Sequence, residues 1–309
     1  MNYLKLYIIG NGFDINLGLN TRYKDFYYFL KDKYPDFLNE TGEILWAKKE
    51  TDPLWSFFER ELSHINFLPF AIYDNECSSN ISIDGLYKMK LNGIFTWKYS
   101  LSEYFREWIA RSYKTPSKKN YNFYDNDYFI NFNYTPTLED VLLIERDHIL
   151  YLHGKSNETS EELIFGHGTD HDMMALYQEL NLSKDGYIEC TASQLNDLIA
   201  IDTLLNELRK PVDKIKMNLE KWLLSIPKIT EIVVLGHSLG EVDLPYFELV
   251  RDIFTNAEWV FSFYSESDKQ NIQEKTRLLN IQNYRIGTID NLLMQPNSES
   301  AWSLAFSQK

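Results

Sequence analysis

Short apolar runs, each closed by a turn residue, recur along this chain, and long stretches of helical periodicity lie between them. That alternation restricts the fold to an α/β class with a mainly parallel sheet, because parallel strands need long crossover connections and helices supply them. The runs are Leu4 to Ile9, Tyr128 to Phe132, Ile149 to Leu152, Leu163 to Phe165, Glu231 to Leu235 and Trp259 to Phe263. Each is predicted to be a strand.

Two intervals carry helices instead. In the first, Ile94, Trp97, Leu101, Tyr104, Phe105, Trp108 and Ile109 repeat at helical spacing, as do positions from Leu45 to Ile65. In the second, the stripe Leu195, Leu198, Ile199, Leu205 and Leu208 is separated by Pro211 from the stripe Val212, Ile215, Leu219 and Trp222. Proline there should end or kink the helix. The 309 residues thus read as a single α/β domain with helical insertions at about 21–113 and 173–226. Aromatic stripes could line a ligand cavity, but core packing is their ordinary use. The polar stretch from Lys114 to Asp127 reads as a loop returning to the sheet.

A formal net charge of -14 repels phosphate backbones and anionic lipid. A nucleic-acid partner would need a local basic patch, and Lys118, Lys119, Lys214, Lys216 and Lys221 read more simply as solvated faces. Two cysteines, Cys77 and Cys190, form no metal-ligand spacing and fit a reducing compartment. The opening run ends in a Gly-Asn-Gly turn, so it reads as a strand and not as a signal peptide. No run approaches the ~18 apolar residues of a membrane span. A cytoplasmic protein without membrane partners is expected.

Four loops could carry chemistry, and each follows or adjoins a predicted strand. In the first, Gly10-Asn11-Gly12-Phe13-Asp14, two glycines would let the backbone turn sharply beside a phosphate at the start of a helix. The longer glycine fingerprint fails at Ile15, and a purely structural turn is an equal reading. The second, Asn131-Phe132-Asn133-Tyr134-Thr135, offers a carboxamide that could hold a ribose hydroxyl or a water, or could form an Asx turn. The third, His153-Gly154, offers a proton carrier beside a close-approach glycine, although a lone histidine is more often a cap or core residue. Nearby, His167, Asp170, His171 and Asp172 suggest a metal, but Gly168 opposes the helix that would align both rings, and none is predicted.

The fourth loop, Gly236-His237-Ser238-Leu239-Gly240, matches the nucleophile elbow of serine hydrolases. That fold requires a histidine after the serine, and none follows His237. Pro245 also stands within one turn of the second glycine. Serine hydrolysis is kept as a minor alternative.

Taken together and in order, the stretches IIGNGFDINLGLNTRYKDF, INFNYTPTLED, LYLHGK, IFGHG and VVLGHSLGEVDLPYF resemble the AbiH family of bacterial abortive-infection proteins. They span most of the chain and are far more specific jointly than singly. That family in turn resembles sirtuin-type NAD-binding domains, which implies a Rossmann-like (sirtuin-like) fold and NAD as ligand. Carried over by motif, Gly10, Asn11, Gly12, Phe13 and Asp14 would hold the pyrophosphate and adjoining ribose. Asn133 and His153 would be catalytic and flank the ribose that bears nicotinamide. Gly236 and Ser238, with Asp243 in the same segment, would meet the adenosine side or its phosphates.

Two cysteines cannot build the four-cysteine zinc module of sirtuin deacylases, so the resemblance points to NAD hydrolysis in phage defence. Asp14 stands where a sirtuin has Ser. A nucleotide sensor without turnover is the main alternative, and a nuclease a lesser one. A phage-derived trigger and a homo-oligomer are the partners that such a role suggests.

Overall fold

The computed structural model describes residues 4–45, 48–55, 57–64, 83–113, 121, 123–158, 163–169, 183–184, 187–188 and 192–293. The chain divides into two compact units. One comprises Met1–Asn20, Ser112–Glu161 and Asp213–Lys309, and the other Thr21–Arg111 and Glu162–Val212.

The first unit is built on six parallel strands: β1 (Lys5–Ile9), β2 (Tyr128–Asn131), β3 (Ile149–Tyr151), β4 (Glu231–Leu235), β5 (Glu258–Ser262) and β6 (Tyr284–Gly287). Their order across the sheet is β3-β2-β1-β4-β5-β6, the doubly wound order of Rossmann-like folds. The expected mainly parallel α/β architecture is what the chain adopts. β1 is central, with Ile8 opposite Ile130 on one side and Val234 on the other. Residues Leu6 to Ile9 and Ile232 to Leu235 are buried without alternation, as strands covered on both faces must be.

Each face has its own cover. On one, Tyr7, Ile9, Phe129, Val233 and Leu235 pack with Phe13 and Leu17, from α1 (Asn11–Asn16) and just beyond it, and with Leu138 of α2 (Thr137–Asp140). Tyr7 stacks on Phe129 at 5.1 Å between centroids. On the other face, Ile8, Ile130 and Phe132 meet Leu219 of α3 (Val212–Ser225) and Tyr246, Phe247 and Val250 of α4 (Leu244–Ile253). The helical interval read from 173 to 226 is therefore shared between the units.

The helical unit encloses an aromatic core of its own. Phe26, from the helix Tyr23–Lys33, packs on Phe105 at 5.4 Å and on Trp108 at 5.1 Å, both from the helix Ile83–Ser112. Trp97, Leu101, Phe105, Trp108 and Ile109 are buried, so this stripe is core. Helix Ala192–Glu207 ends before Pro211 and the next begins at Val212, the break that proline predicts.

One strand expectation needs correction. Leu163 to Phe165 is not a strand; its buried Phe165 packs on Phe58 and Phe105, and the segment is clipped to the end of helix Ala192–Glu207 by His167 N–H to Leu208 O and Lys210 N–H to His167 O. An apolar triplet satisfies either environment, and the aromatic core took it. Conversely, Tyr284–Gly287 forms the edge strand β6 although its sequence, YRIG, has no apolar run. A half-covered edge tolerates such polarity. A two-residue antiparallel pair, Ser183–Lys184 with Tyr187–Ile188, was also unforeseen. Most of the loop from Lys114 to Asp127 lies outside the described residues. Among the described residues no helix is long and apolar enough to cross a membrane.

Candidate functional site

In a doubly wound sheet the crossovers reverse direction between the two central strands, which opens a crevice at their carboxyl ends. Here that point lies between β1 and β4, and the loops that follow them are Gly10–Asp14 and Gly236–Asp243. These two loops interlock. Gly10 N–H donates to Leu235 O at 2.9 Å and Gly12 N–H to Gly236 O at 2.8 Å. Gly236 has φ +64, and a Cβ there would stand 2.2 Å from Phe13 N. A Cβ on Gly12 would meet Gly236 Cα at 2.8 Å, and one on Gly10 would meet His237 Cα at 2.6 Å. The glycines are thus required by the approach of one loop to the other. Because both N–H groups are already paired, neither serves as a free phosphate donor in this conformation. Gly236 N–H is held in turn by the Ser262 hydroxyl at the end of β5, 2.7 Å away.

Asn11 opens α1, and Phe13, two residues on, turns its ring into the core. Asp14 is buried to 1% exposure. Its Oδ2 accepts from the Thr135 hydroxyl at 2.6 Å, and the Thr137 hydroxyl donates to that of Thr135 at 2.9 Å. No described residue completes a hydrogen bond to Oδ1. Burial pushes the Asp14 carboxyl up to about 6, against the opposing influence of Thr135, Thr137 and Asn133.

The two asparagines at the end of β2 make different bonds. Asn131 makes the Asx turn, its Oδ1 accepting from Asn133 N–H at 3.0 Å. Asn133 reaches across instead, and its Nδ2 donates to Gly10 O at 3.1 Å. The carboxamide is thereby fixed against the glycine turn.

His153 leaves the end of β3 and is buried to 3% exposure. Its ring meets that of Phe132 edge-on at 5.3 Å, with Tyr134 at 6.2 Å and Tyr246 at 6.4 Å. Phe132 also meets His237 at 4.4 Å, so one aromatic ring stands between the two imidazoles. The following Gly154 has φ +83, a turn that favours glycine.

In the loop after β4, Leu239 N–H donates to His237 Nδ1 at 2.9 Å, which assigns the ring proton of the neutral form to Nε2. Nε2 lies 3.6 Å from Asp243 Oδ2. The Asp243 carboxylate therefore faces this edge of the His237 ring. Ser238 is exposed, and its carbonyl accepts from Asn271 Nδ2 at 2.7 Å. The imidazole beside Ser238 is thus committed to Leu239 and Asp243, which weakens the serine-hydrolase alternative. Pro245 proves no obstacle to a helix, since α4 begins at Leu244 with the proline in its first turn.

The second histidine loop belongs to the helical unit. His167 is buried, its Nδ1 accepting from Thr169 N–H at 3.3 Å and its Nε2 facing Leu205 O at 3.1 Å. Asp170, His171 and Asp172 lie outside the described residues. Among those described, one trio of potential metal ligands comes together, Glu145, Asp147 and His148, at the opposite end of β3 from His153.

Gly10 with Asn133 and Gly12 with Gly236 are therefore joined by direct contacts, Asp14 is held by Thr135 of the Asn133 loop, His153 and His237 flank Phe132, and Ser238 stands apart. Sequence reasoning missed Thr135 and Thr137, whose neighbours carry the motif while their hydroxyls look like ordinary loop polarity, and Ser262, the last residue of β5, which has no motif beside it.

A parallel sheet wound in both directions, with glycine loops meeting at its reversal, is the architecture of Rossmann-like α/β proteins. The family model for bacteriophage abortive infection AbiH matches residues 6–263, and the chain belongs to that family. Its role is in abortive-infection defence against bacteriophage. A search of curated proteins found no match.

Proposed function

We propose that this protein binds NAD at the carboxyl ends of β1, β2, β3 and β4 and hydrolyses the nicotinamide–ribose bond. The observation that carries the reading is the meeting of the loops of Gly10, Asn133 and Gly236 at the reversal point of the sheet, with Asp14 held by Thr135 of the Asn133 loop and His153 on the neighbouring strand end. The order of these loops also resembles that of sirtuin-type domains. The unpaired Oδ1 of Asp14 suits a ribose hydroxyl as donor. Gly10 and Gly12 contribute by keeping side chains out of the crevice, and pyrophosphate contacts fall to other groups.

Cleavage of this bond builds oxocarbenium character on the ribose. Asn133, oriented by Gly10 O, positions the attacking water or a ribose hydroxyl. His153 takes the proton as general base, a contribution of about 10²- to 10⁴-fold. The hydroxyl bond to ribose forms as the bond to nicotinamide breaks, and nicotinamide leaves as a neutral base.

Free nicotinamide released from NAD by the purified protein measures this directly. Wild-type release that falls at least about a hundredfold in His153→Ala is expected; undiminished release in that variant overturns the mechanism. A nucleotide sensor without turnover is separated by expression in cells. If wild type arrests growth and lowers NAD while His153→Ala does neither, catalysis holds.

A further inference from the structure

The loops that carry Asn133 and His153 leave adjacent strands, and backbone bonds join them at two places. Leu152 N–H donates to Asn131 O at 2.9 Å, and Ser156 N–H donates to Tyr134 O at 2.8 Å. Between these two bonds lies His153-Gly154-Lys155.

The Lys155 side chain is only 8% exposed, and its Nζ lies 2.8 Å from Glu139 Oε2 and 2.6 Å from Glu158 Oε1. Glu139 belongs to α2, which directly continues the Asn133 loop. The same Oε2 accepts from the Tyr151 hydroxyl at 2.9 Å, and Arg146 Nε stands 3.6 Å from Oε1. The ammonium also sits 5.2 Å from the centre of the Tyr151 ring. Burial works against its charge, but the bonds and charges of Glu139 and Glu158 outweigh that and raise its pKa. It is held as a cation at the join between the two loops.

Exposed ion pairs fix little. This one is enclosed, shared by two carboxylates and reinforced by a tyrosine, so it constrains geometry. Phe132 and Tyr134, which flank His153, lie in the Asn133 loop. Any slip of one loop against the other therefore moves the imidazole relative to the carboxamide.

We infer that Lys155 is a positioning residue that sets His153 against Asn133 by tying the two loops through Glu139. The inference rests on the reading that Asn133 and His153 act on one bound nucleotide.

The test uses the full chain, with steady-state nicotinamide release and the ¹H–¹⁵N signals of the His153 ring, identified by their loss in His153→Gln. Lys155→Met is expected to lower kcat about tenfold to a hundredfold while KM stays within about threefold. Lys155→Arg should restore most of kcat, because a guanidinium can bridge the same carboxylates. The His153 ring signals should shift in Lys155→Met and return in Lys155→Arg. Wild-type kcat in Lys155→Met, or unshifted ring signals, overturns the inference. Should Lys155→Met not fold, Glu139→Gln decides: a lowered kcat with shifted signals supports it, and wild-type behaviour in both overturns it. If the wild type releases no nicotinamide under any condition, the NAD-cleavage reading fails and the ring signals alone decide the positioning role.

Discussion

Asn133 Nδ2 donates to the carbonyl of Gly10 at 3.1 Å, joining the loop after β2 to the loop after β1 across 123 positions of sequence. The donor is buried, so truncation to Asn133→Ala removes one bond from a carbonyl that keeps Phe13 N–H at 2.9 Å. A loss of about 1 kcal/mol in urea denaturation is expected. Nicotinamide release should disappear in the same variant, and Asn133→Asp should not restore it, because an ionised carboxylate cannot donate to Gly10 O.

Asp14 makes stability fall as pH rises. Its folded pKa of about 6 exceeds the ordinary carboxyl value of 3.8, so between these values the folded state holds a proton that the unfolded chain has released. The contribution is present below the lower value and lost as pH climbs through the upper one, a swing of roughly 3 kcal/mol. Asp14→Asn keeps an acceptor for Thr135 and removes the titration. Denaturation at pH 4, 5, 6 and 7 should show the variant gaining on wild type steadily with pH; parallel curves would refute the assignment.

Gly236 tolerates no side chain. Its φ of +64 and the 2.2 Å approach to Phe13 N act together, so Gly236→Ala should cost more than about 2 kcal/mol and lower Tm by several degrees. Gly240→Ala, whose added Cβ would find its nearest neighbour at 3.9 Å, should change Tm little.

In the helical unit the Lys210 side chain is fully enclosed and pairs with Glu59 at 2.8 Å. Lys210→Met alone removes the enclosed ammonium from the Glu59 carboxylate, whose side chain is 18% exposed, and should cost about 2–3 kcal/mol. Adding Glu59→Leu should recover much of that loss, because an apolar pair of similar volume fits an enclosed site. A double-mutant cycle by thermal denaturation measures the recovery, and strict additivity would show the pair to be uncoupled.

How far the sequence spoke depended on whether a signal was local. β1, β2, β3, β4 and β5 are apolar because both sheet faces are covered, and such runs are visible without partners. Tyr284–Gly287 forms an edge strand whose pairing with β5 supplies what its composition lacks, so nothing in YRIG announces it. Leu163 to Phe165 shows the converse, three apolar residues that pack on Phe58 and Phe105 rather than joining a sheet. At the site, glycine turns and Asn133 stood out by residue type. Thr135 did not, since its function is a bond to Asp14 across 121 positions. Lys155 was equally hidden, for a lysine flanked by polar residues looks like solvent-facing charge until Glu139 and Glu158 close around it.

Gly12 and Gly236 share a hydrogen bond and leave no room for a side chain between them. The turns after the two central strands consequently have one mechanical freedom instead of two. A substitution that loosens one turn is therefore felt by the other, and the two behave as one joined seam.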